Sequence, residues 1–390
     1  GSLTVKKSIN TYLFYNCTGF DGTLTLTEGV TSIGTYAFAY FSGFTGKLNI
    51  PAKLSKIDNN AFQYCSGFTD ELIIPITLTS LGTSAFSGCS GFTGTLKIPA
   101  SFSAYYKTFN APASFSWCSG IENLEFDESI TVIDSEAFRG CSGITELVLP
   151  KVTLIQRSIF RDWTGITKLT IPDTVTAIYV SAFNNCSKLS ELNIPKSITE
   201  IRDDSFANCI GLTGTLNIPH GVKSLGSAFE NCSGITSIII PTTITEIGSR
   251  AFANCIGLKG TLTLHDKITK ISDKAFYNCY GYTGPLKIPE SVTSIGDSAT
   301  FYNCTGFTEL ILPEKLDKIP TDAFYNCSGF KGPLKLPPKI SSIASRAFYN
   351  CYGFNGTLSI SSPVEKIYDQ AFYNCTGFNE NLVFSYPYKV

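Results

Sequence analysis

The chain has 390 residues, 43% of them apolar and 16% charged, and 30 Lys and Arg stand against 31 Asp and Glu for a net charge of −1. That composition excludes a disordered chain, and it supplies no basic stripe to neutralise phosphates, so nucleic-acid binding is not expected. No apolar run approaches the ~20 residues that a membrane span requires.

Gly1-Ser2 reads as a cloning scar, and the chain contains no Met. The expectation is a fragment whose export signal and anchor lie outside it, with one domain over residues 3–390. A repeat then runs from end to end. Its clearest mark is a Phe three residues before a fixed slot, from Phe14, Phe38 and Phe62 through to Phe348 and Phe372, sixteen times at intervals of 22 to 25 residues with one of 29. A solenoid grows by such units without dividing into separate cores.

Within each repeat, Leu-x-Ile-Pro, as in Leu96-Lys97-Ile98-Pro99, alternates with period two and stops at Pro, which predicts a short strand. A second extended piece begins at residues such as Val30 or Val292 and ends at Ile33 or Ile295. Ala-Phe-x-x-Cys has apolar residues at i, i+1 and i+4, which fits one helical turn. Gly follows the slot by two residues in fifteen repeats, where a turn with φ > 0 is expected. The next residue is always apolar, so the Phe-rich columns read as core filling. Stacked copies of Leu-x-Ile predict a continuous parallel sheet. The first repeat is expected to lack its strand half, because Lys6-Lys7 stand where apolar residues would.

All fourteen Cys occupy the same slot, and Phe41 and Trp163 fill it in the other two repeats. A slot that accepts Phe and Trp is buried and apolar. Stacked strands bring neighbours ~4.8 Å apart with parallel Cβ vectors, whereas disulfides need ~3.8 Å and converging ones. A ladder of free thiols is therefore expected, ahead of disulfides or a metal site. No cofactor is expected.

Four features depart from core filling. The longest interval holds an aromatic insertion with Tyr105, Tyr106 and Phe109; a partner-binding loop and a loop folded back on the solenoid both fit it. The residues between the strand Leu and Ile, including Lys97, Glu125, Thr170, Asn193 and Asn217, point away from the core. They form a mixed column without a charge block, suited to a protein or glycan surface or simply to water. Tyr277, Tyr302, Tyr325, Tyr349 and Tyr373 form a column two before the slot. They read as a strip for weak self-association or as plain repeat ancestry. Asn-Cys-Ser/Thr occurs at Asn16, Asn185, Asn231, Asn303, Asn326 and Asn374, a glycosylation pattern. Asn precedes the slot in ten repeats, however, so a hydrogen bond made by the repeat itself explains it equally. No catalytic constellation is present: His220 and His265 lie two repeats apart, and no nucleophile has a base within reach.

Residues such as Leu147, Leu149, Pro150, Ile133, Ala137, Phe138 and Cys141 make the repeat resemble the BspA-like, Treponema-type leucine-rich repeats, and the match runs from Leu3 to Val390. The resemblance implies an α/β repeat solenoid. In that architecture a right-handed superhelix carries a parallel concave sheet, β-rich with short helical turns, in about 16 repeats of 22–25 residues. It also implies a non-catalytic, cell-surface or secreted adhesin-type module that binds host or neighbouring-cell proteins or glycans. A spacer or self-association module is the alternative.

Overall fold

The structure is a computed structural model that describes residues 1–103, 108–109, 111–360, 364–380 and 382–384. The chain divides into two compact units, Gly1–Ile198 and Thr199–Val390, each holding eight copies of the repeat. Both units are parallel-strand solenoids. Among the described residues the only helical element is the 3-10 turn Ala100–Ser103.

Each coil contributes to two parallel ladders. The Leu-x-Ile ladder pairs Leu3–Val5 with Leu24–Leu26, Thr95–Ile98 with Asn123–Phe126, and Glu146–Val148 with Lys168–Thr170 in the first unit. In the second unit it pairs Gly214–Asn217 with Ile235–Ile239, Gly284–Lys287 with Phe307–Ile311, and Leu358–Ile360 with Leu382–Phe384. The second ladder is made of two-residue strands such as Ser32–Ile33, Lys56–Ile57 and Ser80–Leu81, stacked in register. The expected continuous sheet is instead a series of strand pairs, with isolated bridges such as Thr25↔Asn49 and Glu71↔Thr93. The Pro that closes most segments has no N–H to donate, so each coil offers only a few rungs. The first repeat does carry its strand: Leu3, Thr4 and Val5 lie opposite Leu24, Thr25 and Leu26. Lys6 and Lys7 follow that strand, where other coils turn.

The Ala-Phe-x-x-Cys segment is not a helical turn. In the third repeat the N–H groups of Ala61, Gln63 and Cys65 donate back to the carbonyls of Asp58, Asn60 and Phe62 at 3.1–3.3 Å. The N–H groups of Asn60, Phe62 and Tyr64 donate outward to Thr83, Ala85 and Ser87 of the next coil at 2.7–2.9 Å. A helix would direct all six along its own axis and leave the next coil unpaired, whereas every buried backbone donor needs a partner. The alternation requires left-handed residues, and Asn60 and Tyr64 have φ of 58° and 58°. Both are the third residue of a four-residue turn, the position that is left-handed in a type II turn. Asn tolerates that conformation better than other non-Gly residues, and this accounts for the Asn that precedes the slot.

The Gly two after the slot has a different role from the one expected. A Cβ on Gly67 would lie 2.1 Å from the carbonyl oxygen of Phe44 in the coil before. Glycine is needed there for close approach of two backbones. The left-handed glycine is the next one along, as at Gly94 with φ 70°.

The core is two aromatic stacks and an aliphatic wall. Phe38, Phe62 and Phe86 stack at 5.2 Å between ring centroids, and Phe62 meets Phe68 of the second column edge-on at 6.3 Å. Leu24, Ile33, Leu96 and Leu286 are among the buried aliphatic residues. Burying each such side chain contributes roughly 1.5–3 kcal/mol. One coil cannot enclose them, and the next coil supplies the other wall.

The fourteen Cys are free, twelve of them buried and Cys17 and Cys375 half-buried. Their slot does more than fill space. Cys65 donates its thiol hydrogen to the carbonyl of Phe38 at 3.1 Å, and Cys279 does the same to Phe252 at 3.1 Å. Trp163 keeps this bond through its indole Nε1, which donates to the carbonyl of Phe138. In these coils the slot holds a buried donor, whereas Phe41 fills it without one. Burial pushes the thiols of Cys255 and Cys304 up to about 12 and that of Cys375 up to about 11.

Candidate binding face

Residues between the strand Leu and Ile face solvent because successive side chains of a strand alternate in direction. Lys97, Glu125, Thr170, Asn193 and Asn217 are all exposed. Lys97 and Glu125 lie opposite each other in adjacent strands, and their side chains pair at 3.0 Å. Both line a groove of about 380 Å³ whose other walls include Glu71, Ile73, Ile76, Pro99, Phe126 and Asp127. Ile73 and Ile76 are 52% and 79% exposed and line one groove, while Ile210 and Ile239 of the second unit are 53% and 56% exposed. Asp127 accepts hydrogen bonds from the hydroxyl and backbone N–H of Ser129, which hold its carboxyl below the usual carboxylate range. The structure thus brings together Lys97 and Glu125 with Ile73 of the same outward column and with Ile76, which lies outside it. Thr170, Asn193 and Asn217 do not line this groove.

The groove abuts the repeat with the insertion, since Pro99 ends the strand from which the insertion departs. Tyr105 and Tyr106 lie outside the described residues. Phe109 falls in the two-residue strand Thr108–Phe109, opposite Ile133 of Val132–Ile133. It therefore takes the register position that Ile57 and Leu81 hold in their own coils, a scaffold position of the second ladder.

The tyrosine column is a stack. Rings of Tyr277, Tyr302, Tyr325, Tyr349 and Tyr373 follow one another at 4.7, 4.5, 4.6 and 4.6 Å, with interplanar angles of 16° or less. Burial, then the neighbouring phenols, raises the hydroxyls of Tyr302 and Tyr349 above the ordinary tyrosine value. The faces are spent on one another, so the strip offers ring edges and hydroxyls. A second aromatic surface was not anticipated. Tyr12 and Tyr36 stack at 5.0 Å, and Tyr15 stands edge-on to Tyr12 and Tyr40. Tyr40 and Tyr64 continue the row. Tyr40 and Tyr64 stand in the position normally held by Asn, Tyr12 and Tyr36 five before the Cys slot, and Tyr15 two before it, in the column of Tyr277.

The Asn side chains form a ladder of their own. The amide of Asn231 donates to Asn208 at 2.8 Å, Asn254 to Asn231 at 2.8 Å and Asn278 to Asn254 at 2.7 Å. Asn303, Asn326 and Asn374 donate in the same way. In the first unit Asn185 donates to Asp162 at 3.0 Å, and Asp162 also meets Arg139 at 3.3 Å. Glycan attachment would consume the amide nitrogen that makes these bonds.

Among the described residues no group of three or more His, Cys, Asp or Glu could hold a metal, and no helix is long and apolar enough to cross a membrane. A polar groove of about 350 Å³ in the second unit is lined by Glu246, Lys270, Asp273 and Asp297 among others, and Lys270 pairs with Glu246 at 2.7 Å.

A family model described as the BspA-type leucine-rich repeat region (6 copies) matches residues 4–111, 108–232, 226–355 and 297–386. The chain belongs to the BspA-type leucine-rich-repeat family. A leucine-rich-repeat protein from Bacteroides ovatus is similar in fold, with a TM-score of 0.60 at 22% identity over 99% of this chain and 92% of that one. A leucine-rich cell surface protein from Faecalibacterium prausnitzii aligns with a TM-score of 0.43 at 22% identity, over 99% and 88% of the two chains. The pneumococcal vaccine antigen PcpA aligns with a TM-score of 0.40 at 18% identity, over 95% and 80%. No curated protein matches the chain significantly.

Proposed function

We propose that this BspA-type chain is a non-catalytic, adhesin-type module, displayed on a cell surface or secreted, that binds a protein or glycan of a host or neighbouring cell through its exposed strand face. The observation that carries the reading is the contrast between fixed and free positions. Phe, Cys, Gly and Asn recur because the coils need them, while the outward strand column changes from coil to coil and gathers exposed isoleucine, lysine and glutamate around one groove. Family membership supports recognition over chemistry, as does the lack of any nucleophile–base pair in the sequence. The test is an array of matrix proteins and glycans probed with the wild-type chain and with the Lys97→Glu/Glu125→Lys double variant. Selective capture that the double variant loses is the expected result.

A second reading, a spacer that associates with its own kind, is favoured by the five-ring stack at Tyr277–Tyr373. Concentration-dependent dimers in light scattering, with nothing captured on the array, would select it.

A further inference from the structure

The groove beside the irregular repeat has a composition that narrows its ligand, an inference that rests on the strand-face reading above. Its floor is aliphatic, with Ile73, Ile76 and Pro99 beside Phe126. Its rim is acidic: Glu71, Glu125 and Asp127 stand against Lys97 alone. Lys97 is already paired with Glu125 at 3.0 Å. Among the described residues neither Glu71 nor Asp127 has a cationic partner.

We propose that this groove binds a protein segment in which an aliphatic side chain is flanked by lysine or arginine. The aliphatic side chain would cover Ile73 and Ile76, whose exposure is otherwise a standing cost in water. The flanking cations would complete the charges of Glu71 and Asp127 and steer the encounter. A sugar fits less well, because flat aromatic faces are what pyranose rings stack on, and among the described residues Phe126 is the one aromatic residue lining the groove. An acidic segment would meet three carboxylates.

The experiment uses the full chain and three labelled synthetic peptides of equal length that carry leucines flanked by Lys, by Glu or by Ser, read by fluorescence anisotropy. The lysine peptide is expected to bind about tenfold tighter than the glutamate peptide in low salt, with the margin shrinking as salt rises. The Ile73→Ser/Ile76→Ser variant should weaken it about tenfold or more. The Glu71→Gln/Asp127→Asn variant should shrink the preference for lysine while leaving the serine peptide unchanged. All four positions are surface residues, and an unchanged melting temperature separates lost binding from lost fold. Equal binding of the three peptides, preference for the glutamate peptide, binding of none, or indifference to the isoleucine variant each overturns the proposal. If the protein and glycan array is still positive in those cases, the strand-face reading survives and only the groove assignment falls. If the array is also blank, both fall.

Discussion

The two units solve the same backbone problem with different residues. The left-handed position before the Cys slot is Asn in all eight repeats of Thr199–Val390, with φ between 56° and 63°. In Gly1–Ile198 it is Asn16, Tyr40, Tyr64, Gly88, Trp117, Gly140, Asp162 and Asn185. Tyr40, Tyr64 and Trp117 hold φ of 61°, 58° and 62°, which costs a bulky residue roughly 1–2 kcal/mol. The second unit satisfies the position with an amide ladder. The first unit tolerates strain there and exposes aromatic rings instead, and it also carries the insertion and the aliphatic groove. On the function proposed above, the regular unit would be scaffold and the irregular one would carry the recognition surface.

The largest expected difference between the units is alkaline. Burial holds thiols such as Cys232, Cys279, Cys327 and Cys351 protonated in the fold, above their ordinary value of 9.0, and pushes Cys255 and Cys304 up to about 12. Unfolding frees them to ionise. The stability they represent is fully present below 9.0 and is lost as pH rises from there towards about 12. The raised thiols include Cys232, Cys255, Cys279, Cys304, Cys327, Cys351 and Cys375 in the second unit and Cys89, Cys118 and Cys141 in the first. Denaturant titrations in reductant at about pH 8 and about pH 10.5 should show both units weakened and the second weakened more. Equal loss would break the comparison.

Next in size are the close-approach glycines, which the units share. Gly67→Ala and Gly353→Ala place Cβ 2.1 Å and 2.2 Å from a carbonyl oxygen of the preceding coil. Each should cost about 3 kcal/mol in denaturant titration. A cost below about 1 kcal/mol at either site would show that the coils can spread.

The ladder gives a sharper contrast. Asn254→Ala removes a donor to Asn231 and an acceptor for Asn278 and leaves Ala at φ 59°. A loss of about 2 kcal/mol is expected. Tyr40→Asn in the first unit should be nearly neutral, within about 0.5 kcal/mol. Relief of the strained backbone offsets loss of the contacts to Tyr15 and Tyr64. Between the two lies Tyr282→Phe. Among the described residues the buried Tyr282 hydroxyl has no hydrogen-bond partner, so removing it should raise stability by about 1 kcal/mol.

The repeat, both strand segments and the buried Cys column are readable from spacing, because period-two alternation and fixed recurrence are properties of the chain itself. The handedness of the turn is not. Ala-Phe-x-x-Cys has the same apolar spacing whether it coils as a helix or alternates, and Asn at the decisive position is masked by Tyr, Trp and Asp in the first unit. The glycine two after the slot looks like a turn residue, since only stacking reveals the carbonyl facing it. Leu3–Val5 was hidden by the lysines that follow it. The charged half of the groove, Lys97 and Glu125, was visible as column neighbours. Of its aliphatic half, Ile73 was visible in the same column, whereas Ile76 lies outside the strand column altogether.

The most direct test of the claim that the irregular unit recognises and the regular unit supports is a paired substitution read by one binding assay. Ile73→Ser/Ile76→Ser in the first unit and Ile311→Ser/Lys335→Ser in the second alter outward-facing surface in each. Measured against the lysine-flanked leucine peptide, the first pair should abolish most of the binding and the second should leave it unchanged. Equal loss from both, or loss from the second alone, would contradict the account.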